Sequence, residues 1–519
     1  MGNFKKFLAL TLVLTLSMTL LIGCSKKKEE STATTAPEVT DDAAATAAPD
    51  GEATYTKVDE LYVYNSKGEN ADAFAEMAKA YETETGIKVK AFSIGSGQDH
   101  METLRAEMNS KSKPDVFTIQ TLSELQEWEE SGTALDFNDA TVEAFKTLAS
   151  DVPQGLRLTS DGTNNYGIPY NVEGYGFIVD TQMISDLFGA DNKDAVLAAI
   201  KTCTYDEWAA AVAVLDAYIK DGTAAPVTFS GTAFDLAATK TGVAANLTGV
   251  FAVAGSEKWT YGDHMINVAI NAVFSNASEA KAASEEQIDS LKSAFTKYAQ
   301  ALDLKTSYVA GADGALVRGS EMINSTTNGY DGAVQNFADS KAIFMKQGNW
   351  VYANIQKVNA EVADRLTFLP VKMPITADDI KVAGLTPEAF NSTIPVFVPM
   401  YYGVNAKVDA DHQKAAQEFL VWLNTSETGK KYITEDFAFI PYNADPATTK
   451  VSSCLGTSIL EYLQAGPTLS NPYAGAPSNW SGDIVGLEIM EKYLTKAEWT
   501  DADYAAIADY AVSKWKEMK

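Results

Sequence analysis

The sequence is poor in the residues that most catalytic and metal centres require. Its 519 residues include only three histidines and three cysteines. His100, His264 and His412 form no pair at metal-ligand spacing. No HExxH, GxSxG or GxxxxGKS/T motif occurs, although each of these marks a common catalytic or phosphate-binding site. We therefore predict no metal, no cofactor and no catalytic residue, and a function other than catalysis.

Cysteine is also too scarce for a disulfide framework. Beyond Cys24 the chain has Cys203 and Cys454, and it has no CxxC motif. Two cysteines in so long a chain cannot form the disulfide framework that stabilises many small secreted proteins. A single disulfide between Cys203 and Cys454 is the alternative, and two buried thiols are the favoured interpretation.

Positive charge is the third shortage. The chain has 41 Lys and Arg residues against 69 Asp and Glu residues, a formal net charge of −28. Such a charge argues against nucleic acid and anionic lipid headgroups as partners. The composition, 46% apolar and 21% charged, is that of a globular protein. A body of about 465 residues is long enough for two or three domains.

The N-terminus carries a targeting pattern. Two lysines precede an apolar run from Phe7 to Ile22, as in a secretory signal peptide. At about 17 residues this run is barely long enough to span a bilayer permanently. The segment Leu21-Ile22-Gly23-Cys24 resembles the bacterial lipobox, in which the cysteine is lipidated after cleavage. We expect residues 1–23 to be a signal peptide and Cys24 a lipid anchor; an uncleaved N-terminal anchor is the alternative.

Residues 24–54 then follow as a predicted tether. They are small, polar and acidic, include two prolines and contain almost nothing apolar to bury. Segments of this composition remain disordered. The chain is therefore expected on the extracellular face of the cell membrane, as a monomer held by its lipid anchor.

The body begins with a regular alternation of strands and helices. The segments ELYVYN, IKVKAFSI and PDVFTI have the Val, Ile and aromatic content of strands. Between and after them, residues 69–86, 100–110 and 123–132 have the apolar spacing of helices. Strand and helix in alternation predict a parallel sheet with helices on both faces. A second α/β region is expected over about 172–400, followed by a helix-rich C-terminal stretch.

Six segments, in order, resemble the family-1 extracellular solute-binding proteins of ABC importers. They include FAEMAKAYETETGIKVKAFSIGS, LRAEMNSKSKPDVF, NNYGIPYNVEGYGFIVDTQMI and YDEWAAAVAVL. The last two are FADSKAIFMKQGNW, with Ser340 where glycine is usual, and the long segment from Tyr401 to Ile433. Gram-positive members of this class are usually lipoproteins, which agrees with the lipobox.

The resemblance implies an α/β, two-lobed, periplasmic-binding-protein-like fold. Its two discontinuous lobes would be joined by hinge strands, with a ligand cleft between them. By analogy, the first lobe takes residues 55–171 and 403–447, and the second takes 172–402 and 448–519. The implied function is capture of a carbohydrate, an oligosaccharide by preference, and delivery to ABC permease subunits.

The resemblance also suggests four ligand-binding residues around the lobe crossing. A sugar ring needs flat aromatic platforms and polar groups in the ring plane. Trp350 and Trp480 occupy positions that resemble sugar-stacking tryptophans, with core packing as the alternative for each. Trp480 lies in the Gly-, Pro- and Ser-rich segment PSNWSGD, which predicts a loop before a helix. Glu173 matches a carboxylate that bonds sugar hydroxyls, with a hinge ion pair as its alternative. Tyr175 is either a platform or a core residue.

Further candidates lie where strands of the first sheet end, because open α/β sheets present ligand groups there. These candidates are Asn65, Ser66, Lys67, Gln120 and Thr121. Three weaker candidates are Trp259, which resembles part of a peripheral hairpin, and Tyr401 and Tyr402, which suit hinge packing.

Other functions remain as alternatives. The same fold could bind a peptide, a polyamine or a phosphoester, although no basic, glycine-rich helix start suggests a phosphate site. A surface glycosidase would need two carboxylates across a cleft. An adhesin-like module would show repeats or β-sandwich patterning, and the sequence shows neither.

Overall fold

The computed structural model describes residues 55–95 and 100–519. The predicted signal peptide, the lipidation site Cys24 and the tether lie outside these residues. The described chain contains two large sheets, each covered by its own helices. Elements are numbered in chain order.

The first sheet has five strands, in the order β2-β1-β3-β14-β4. Their bounds are β1 (Glu60–Asn65), β2 (Lys88–Ser93), β3 (Val116–Ile119), β4 (Ile168–Pro169) and β14 (Tyr401–Val404). The associated helices are α1 (Ala71–Thr85), α2 (His100–Met108), α3 (Leu122–Glu130), α4 (Glu143–Asp151), α17 (Ala410–Thr425) and α18 (Glu427–Lys431). β1 runs parallel to both β2 and β3, which confirms the predicted parallel arrangement.

The local sequence explains why this unit forms. α1 buries Phe74, Met77 and Tyr81, whose spacing of three and four residues places them on one helical face. The helix stops at Gly86, which adopts a left-handed conformation (φ 71°) that costs little without a side chain. β3 is buried on both faces, as expected of a strand inside a covered sheet.

The second sheet follows the path β10-β9-β8-β11-β5-β12, with β13 paired to β5. Its strands are β5 (Glu173–Asp180), β8 (Gly249–Ala252), β9 (Val309–Ala310), β10 (Ala315–Leu316), β11 (Ala342–Gly348), β12 (Leu366–Leu369) and β13 (Val396–Phe397). A separate hairpin is formed by β6 (Val227–Phe229) and β7 (Thr232–Phe234). Ser340 precedes β11 with φ 60°, a conformation that favours glycine and accounts for the family's usual residue there.

Fourteen helices in the described chain accompany the second sheet. They are α5 (Thr181–Phe188), α6 (Lys193–Thr202), α7 (Tyr205–Asp221), α8 (Ile266–Ile270), α9 (Ala277–Ala282), α10 (Glu285–Asp289), α11 (Leu291–Ser307), α12 (Ser325–Asn328), α13 (Tyr330–Ala338), α14 (Tyr352–Val358), α15 (Ala360–Ala363), α16 (Pro387–Ser392), α19 (Cys454–Ala465) and α20 (Asp501–Met518). Three π-type helical turns also occur in this part of the described chain, at Thr260–Met265, Trp480–Gly486 and Ile489–Tyr493, and a fourth, Tyr432–Asp436, follows α18 in the part around the first sheet. Such turns are rare in proteins overall, and the ones that do occur are often found at functional sites.

The chain passes between the sheets at several places. One passage lies between β4 and β5, and another between β13 and β14. A third lies beside the bridge between Val172 and Ile440. Because β14 pairs with β3, the second passage falls before Tyr401, slightly earlier than the predicted boundary at residue 403. We keep the division into discontinuous lobes as a proposal and call the parts around the first and second sheets the first and second lobes.

The structure bears on the state of the two thiols, on membrane-spanning helices and on clusters of metal-ligating side chains. Cys203 and Cys454 are both free thiols, as favoured, but only Cys203 is buried, and Cys454 is half-buried. Across residues 55–95 and 100–519, no helix is long and apolar enough to cross a membrane. The same residues contain no group of three His, Cys, Asp or Glu side chains placed to hold a metal ion.

Candidate functional site

In each lobe, strand ends gather polar and aromatic side chains along one edge of the sheet. β8 and β11 are parallel, so their carboxyl ends lie at the same edge of the second sheet. β5 starts at that edge, since Tyr175 pairs with Gly348 and Glu173 pairs with Phe397 of β13. Carboxyl ends of strands are where open α/β sheets bind ligands.

The two sheet edges face each other across a cleft. Lys67, just beyond β1, forms a buried ion pair with Glu173 at the start of β5. The segment Pro472–Gly475 of the second lobe contacts α3 of the first, and Gly68–Asn70 of the first contacts α14 of the second. A ligand between these edges would touch both lobes.

Six half-buried rings form a continuous surface on the second lobe's side of the cleft. We call this surface the aromatic wall; it consists of Trp259, His264, Tyr330, Trp350, Phe397 and Tyr473. His264 is its centre, with ring centroids 4.8 Å from Trp350, 5.4 Å from Trp259 and 6.3 Å from Tyr473. Trp259 also lies 6.0 Å from Tyr330 and 6.3 Å from Trp350. Five separate chain segments thus supply one apolar, partly accessible face.

The structure places Trp350 within this wall, directly after β11. Its indole Nε1 donates to Oε1 of Gln347 at 3.0 Å, which fixes the plane of the ring. The ring lies against the backbone of Gly348, where an added Cβ would come within 2.0 Å of it. A glycine is therefore required at 348 for the tryptophan to lie flat over the strand end.

Tyr175 lies behind the aromatic wall. Its side chain is fully buried, and its hydroxyl accepts a hydrogen bond of 2.6 Å from Asn267. The ring centroid is 4.9 Å from that of His264, and the ammonium of Lys346 lies 4.7 Å from the ring centre. In this arrangement Tyr175 supports the wall from the core and does not face the cleft.

Carboxylates surround the rings. Glu257 accepts from Nε1 of Trp259 at 3.0 Å and from the backbone N–H of Tyr330 at 3.4 Å. Burial raises the pKa of Tyr330, and Glu69, Glu173 and Glu257 add to the shift.

The pair Lys67–Glu173 is the main ionic contact between the lobes. The two side chains are only 6% and 4% exposed. Lys67 also pairs with Glu69 at 3.2 Å, and Glu173 accepts from Asn171 at 3.1 Å. Burial alone would lower the pKa of Lys67, but the nearby carboxylates outweigh it and the pKa rises. Both residues were predicted to bind ligand; in the structure each is satisfied by the other.

Replacing Glu173 with glutamine tests this pair. The variant leaves a buried ammonium with Glu69 as its only carboxylate partner, and breaking a buried pair costs about 3 kcal/mol or more. We expect a clear fall in the midpoint of urea unfolding. The matched control is Glu76→Gln, because Glu76 and Lys79 form an exposed pair on α1. The control is expected to leave the midpoint unchanged; equal midpoints for both variants would contradict the structural role of the pair.

The remaining first-lobe candidates have protein partners of their own. Asn65 is fully buried and its amide donates to Lys67 O, Asn70 Oδ1 and Ser93 Oγ, all at 2.9 Å. Asn65 therefore positions Lys67 and is not placed to face a ligand. Ser66 is half-buried and accepts from the hydroxyl of Thr118 at 2.8 Å.

Gln120 and Thr121 lie at the first lobe's edge of the cleft, between β3 and α3. Thr121 caps α3 by accepting from the backbone N–H of Glu124 at 3.1 Å. The backbone N–H of Gln120 donates to the Glu124 carboxylate at 2.6 Å. Both residues are half-buried, and α3 contacts the segment that carries Tyr473. Their side chains are thus near the cleft, and their ligand role stays a prediction.

Trp480 is in the core of the second lobe and not at the cleft. Its ring is fully buried, 4.6 Å from Trp515 and 5.9 Å from Phe295 by ring centroid. Its Nε1 donates to the backbone oxygen of Ala511 in α20 at 2.8 Å. The glycine- and serine-rich setting suggested a loop, whereas these residues form a π-type turn that packs the indole inward. We therefore exclude Trp480 from the candidate site.

Sequence reasoning missed most of the aromatic wall. Trp259 resembled a peripheral hairpin, and His264 was considered only for metal binding. Tyr330, Phe397 and Tyr473 were not considered, because no local pattern distinguishes a ring at a cleft from one in a core. Trp350 directly follows β11 and Phe397 ends β13, whereas the other four rings lie in turns or at a helix start. The wall therefore has no shared local signal and forms only in the tertiary structure.

Comparisons with known proteins show the family and the fold of this chain. The profile of a family described as bacterial extracellular solute-binding protein matches residues 76–453. No curated protein sequence matches the chain.

Solved structures with similar folds include a chitin oligosaccharide binding protein, at 16% identity and a TM-score of 0.57, covering 88% of this chain and 98% of that chain. A Streptococcus pneumoniae solute-binding protein in complex with the blood group A-trisaccharide has 14% identity and a TM-score of 0.57, with 88% and 100% covered. A Bacillus licheniformis sugar transporter protein in complex with stachyose has 15% identity and a TM-score of 0.55, with 87% and 99% covered.

These structures confirm the two-lobed α/β fold, and the profile confirms the resemblance found in six sequence segments. The matched residues make up well over half of the chain and include both sheets. The chain belongs to the bacterial extracellular solute-binding protein family.

Proposed function

We propose that this protein captures a carbohydrate, an oligosaccharide by preference, by closing its two lobes on it, and delivers it to the permease subunits of an ABC importer. The anchor would be the lipidated Cys24, which would hold the protein as a monomer at the extracellular face of the membrane. The protein would carry out no catalysis, and it would need neither a metal nor a cofactor.

The observation that carries the proposal is the aromatic wall at the lobe interface. Sugar rings have apolar C–H faces that stack on flat aromatic side chains, and hydroxyl rims that need hydrogen-bonding groups in the ring plane. The wall offers Trp259, Tyr330 and Trp350 as half-buried platforms, with the ring centroid of Trp259 6.0 Å from that of Tyr330 and 6.3 Å from that of Trp350. Three similar folds were solved with or named for a chitin oligosaccharide, a blood group trisaccharide and stachyose, which supports an oligosaccharide as ligand.

The way the site is divided between the lobes supports lobe closure. The platforms belong to the second lobe, whereas Ser66, Gln120 and Thr121 belong to the first. A ligand that contacts both edges has more interactions in the closed state and shifts the equilibrium toward it. A permease that binds only the closed state would then distinguish loaded from empty protein.

A thermal-shift screen of the purified full chain tests the proposal. The panel contains neutral saccharides such as stachyose and chitotetraose, with acidic saccharides, peptides, polyamines and phosphoesters as the other classes. A ligand that binds the folded state raises the melting temperature by an amount that grows with its excess over Kd.

We expect the melting temperature to rise with one class of oligosaccharide, and we expect that sugar to remain intact on long incubation. A shift with peptides or polyamines alone would keep the family and overturn the carbohydrate. Consumption of the sugar would favour the surface glycosidase alternative.

A further inference from the structure

His264 is the polar residue at the centre of the aromatic wall. It lies in the π-type turn Thr260–Met265, which follows Trp259. Its ring is surrounded by Trp350, Tyr175 and Trp259 at centroid distances of 4.8, 4.9 and 5.4 Å. A histidine so placed is bordered by apolar rings on several sides, and any group that stacks on the wall comes close to it.

One nitrogen of this imidazole lacks a protein partner. Nδ1 of His264 is buried and has no hydrogen bond to any residue within 55–95 or 100–519. A buried polar atom without a partner costs about 1–3 kcal/mol, so each such atom in a native structure needs an explanation, such as a bound ligand, ion or water. Oδ1 of Asn171 and Oδ1 of Asn471, which lie two residues before Glu173 and Tyr473 respectively, are also buried without a partner in the described chain.

The charges around the wall decide which ligand chemistry suits the imidazole. Burial, together with Lys346 and Lys67, holds the pKa of His264 well below its ordinary value, so the ring is neutral at physiological pH. A neutral imidazole donates one hydrogen bond and accepts another, which matches a hydroxyl or an acetamido group. It offers no positive charge to a carboxylate or phosphate.

The neighbouring carboxylates also disfavour an acidic ligand. Glu69 and Glu173 share one cation, Lys67, and burial lowers the pKa of Lys346, another lysine near the wall. Glu257 lies between Trp259 and Tyr330, and within the described chain it forms no ion pair. A carboxylate brought onto the wall would meet these like charges in a partly buried setting, where each repulsion is strengthened.

We infer that His264 is a ligand-contacting, specificity-determining residue, and that the cleft takes neutral saccharides through a hydrogen bond between its imidazole and a hydroxyl or acetamido group. This inference rests on the proposed function, because it names the ligand class of the same cleft. It assigns a role to a histidine that neither metal chemistry nor catalysis uses.

Nitrogen NMR of the full chain labelled with 15N-histidine tests the assignment. The chain has three histidines, and His412 lies at the start of α17, hydrogen-bonded to Asp409 at 2.8 Å. Stachyose and chitotetraose serve as neutral probes, and tetragalacturonate serves as the acidic probe. We expect the neutral probe that binds to shift the His264 nitrogen signals and to leave those of His412 unchanged.

Two variants separate contact from packing. His264→Phe keeps an aromatic ring in the wall but removes both nitrogens, and it should weaken binding of the neutral probe roughly tenfold. His412→Gln is the matched control and should leave Kd unchanged. If His264→Phe does not fold, the NMR titration of the native chain still decides.

The outcomes distinguish this inference from the proposed function. Binding of a neutral probe with His264 signals unmoved, or with an unchanged Kd for His264→Phe, overturns the inference alone. Tighter binding of tetragalacturonate than of the neutral probes overturns the neutral ligand class. Absence of binding by every saccharide overturns both proposals together.

Discussion

Replacing Trp350 with alanine is expected to weaken saccharide binding roughly 30- to 150-fold, as loss of a central aromatic anchor costs about 2–3 kcal/mol. The indole is half-buried at the cleft, lies flat over Gly348, and is fixed by its hydrogen bond to Gln347. Its removal takes away the platform and leaves the strands of the second sheet paired. Isothermal titration with the saccharide that gives the largest thermal shift measures the effect.

The matched variant is Trp350→Phe, which retains a flat ring but loses the Nε1 donor and part of the area. We expect Trp350→Phe to bind between the wild type and the alanine variant. The melting temperature without ligand should change little in either variant. Equal affinity of Trp350→Ala and the wild type would remove the aromatic wall from the binding site.

Replacing Trp480 with alanine is expected to have the opposite profile. The fully buried indole packs on Trp515 and Phe295, and its N–H bonds the backbone of α20. A Trp→Ala change in a core costs about 3–5 kcal/mol, since it removes apolar contacts and leaves a cavity. Urea unfolding followed by circular dichroism should show a large fall in the midpoint.

Trp480→Phe provides the control, because it fills most of the volume and loses the hydrogen bond to Ala511. Its midpoint should lie between those of the wild type and Trp480→Ala. For protein that remains folded, the saccharide Kd should be unchanged in both variants. A Kd that weakens severalfold while the midpoint stays constant would return Trp480 to the binding site.

The fold was largely predictable because its first unit uses strong local signals. Phe74, Met77 and Tyr81 repeat at helical spacing, Gly86 stops the helix, and β1 and β2 flank it with the predicted parallel pairing. Local propensity, apolar pattern and topology agree in this region. Agreement across levels is what makes a fold readable from sequence.

The π-type turns were not predictable, and they account for the error at Trp480. Residues 479–486 read as a loop leading into an ordinary helix, but Asn479 adopts φ 62° and the following turn is wide. Gly262 of one π-type turn packs closely on Gly486 of another, within 2.8 Å of an added Cβ. This tertiary contact, and not local propensity, sets the direction of the indole.

The candidate site was only partly predictable, because its residues come from distant segments. Trp350 could be identified from its position after a strand in a recognisable motif. The pairing of Lys67 with Glu173 could not, since 106 positions separate them and each alone resembles a ligand-binding group. Likewise, His264 joins the aromatic wall only through the order of β8, β11 and β5 in the second sheet.

The most direct test of the central claim is a crystal structure of the full chain with the saccharide that gives the largest thermal shift. The account predicts a sugar ring stacked on Trp350, within the aromatic wall, and polar contacts from both lobes. A saccharide bound away from the wall, or one that touches a single lobe, would contradict it.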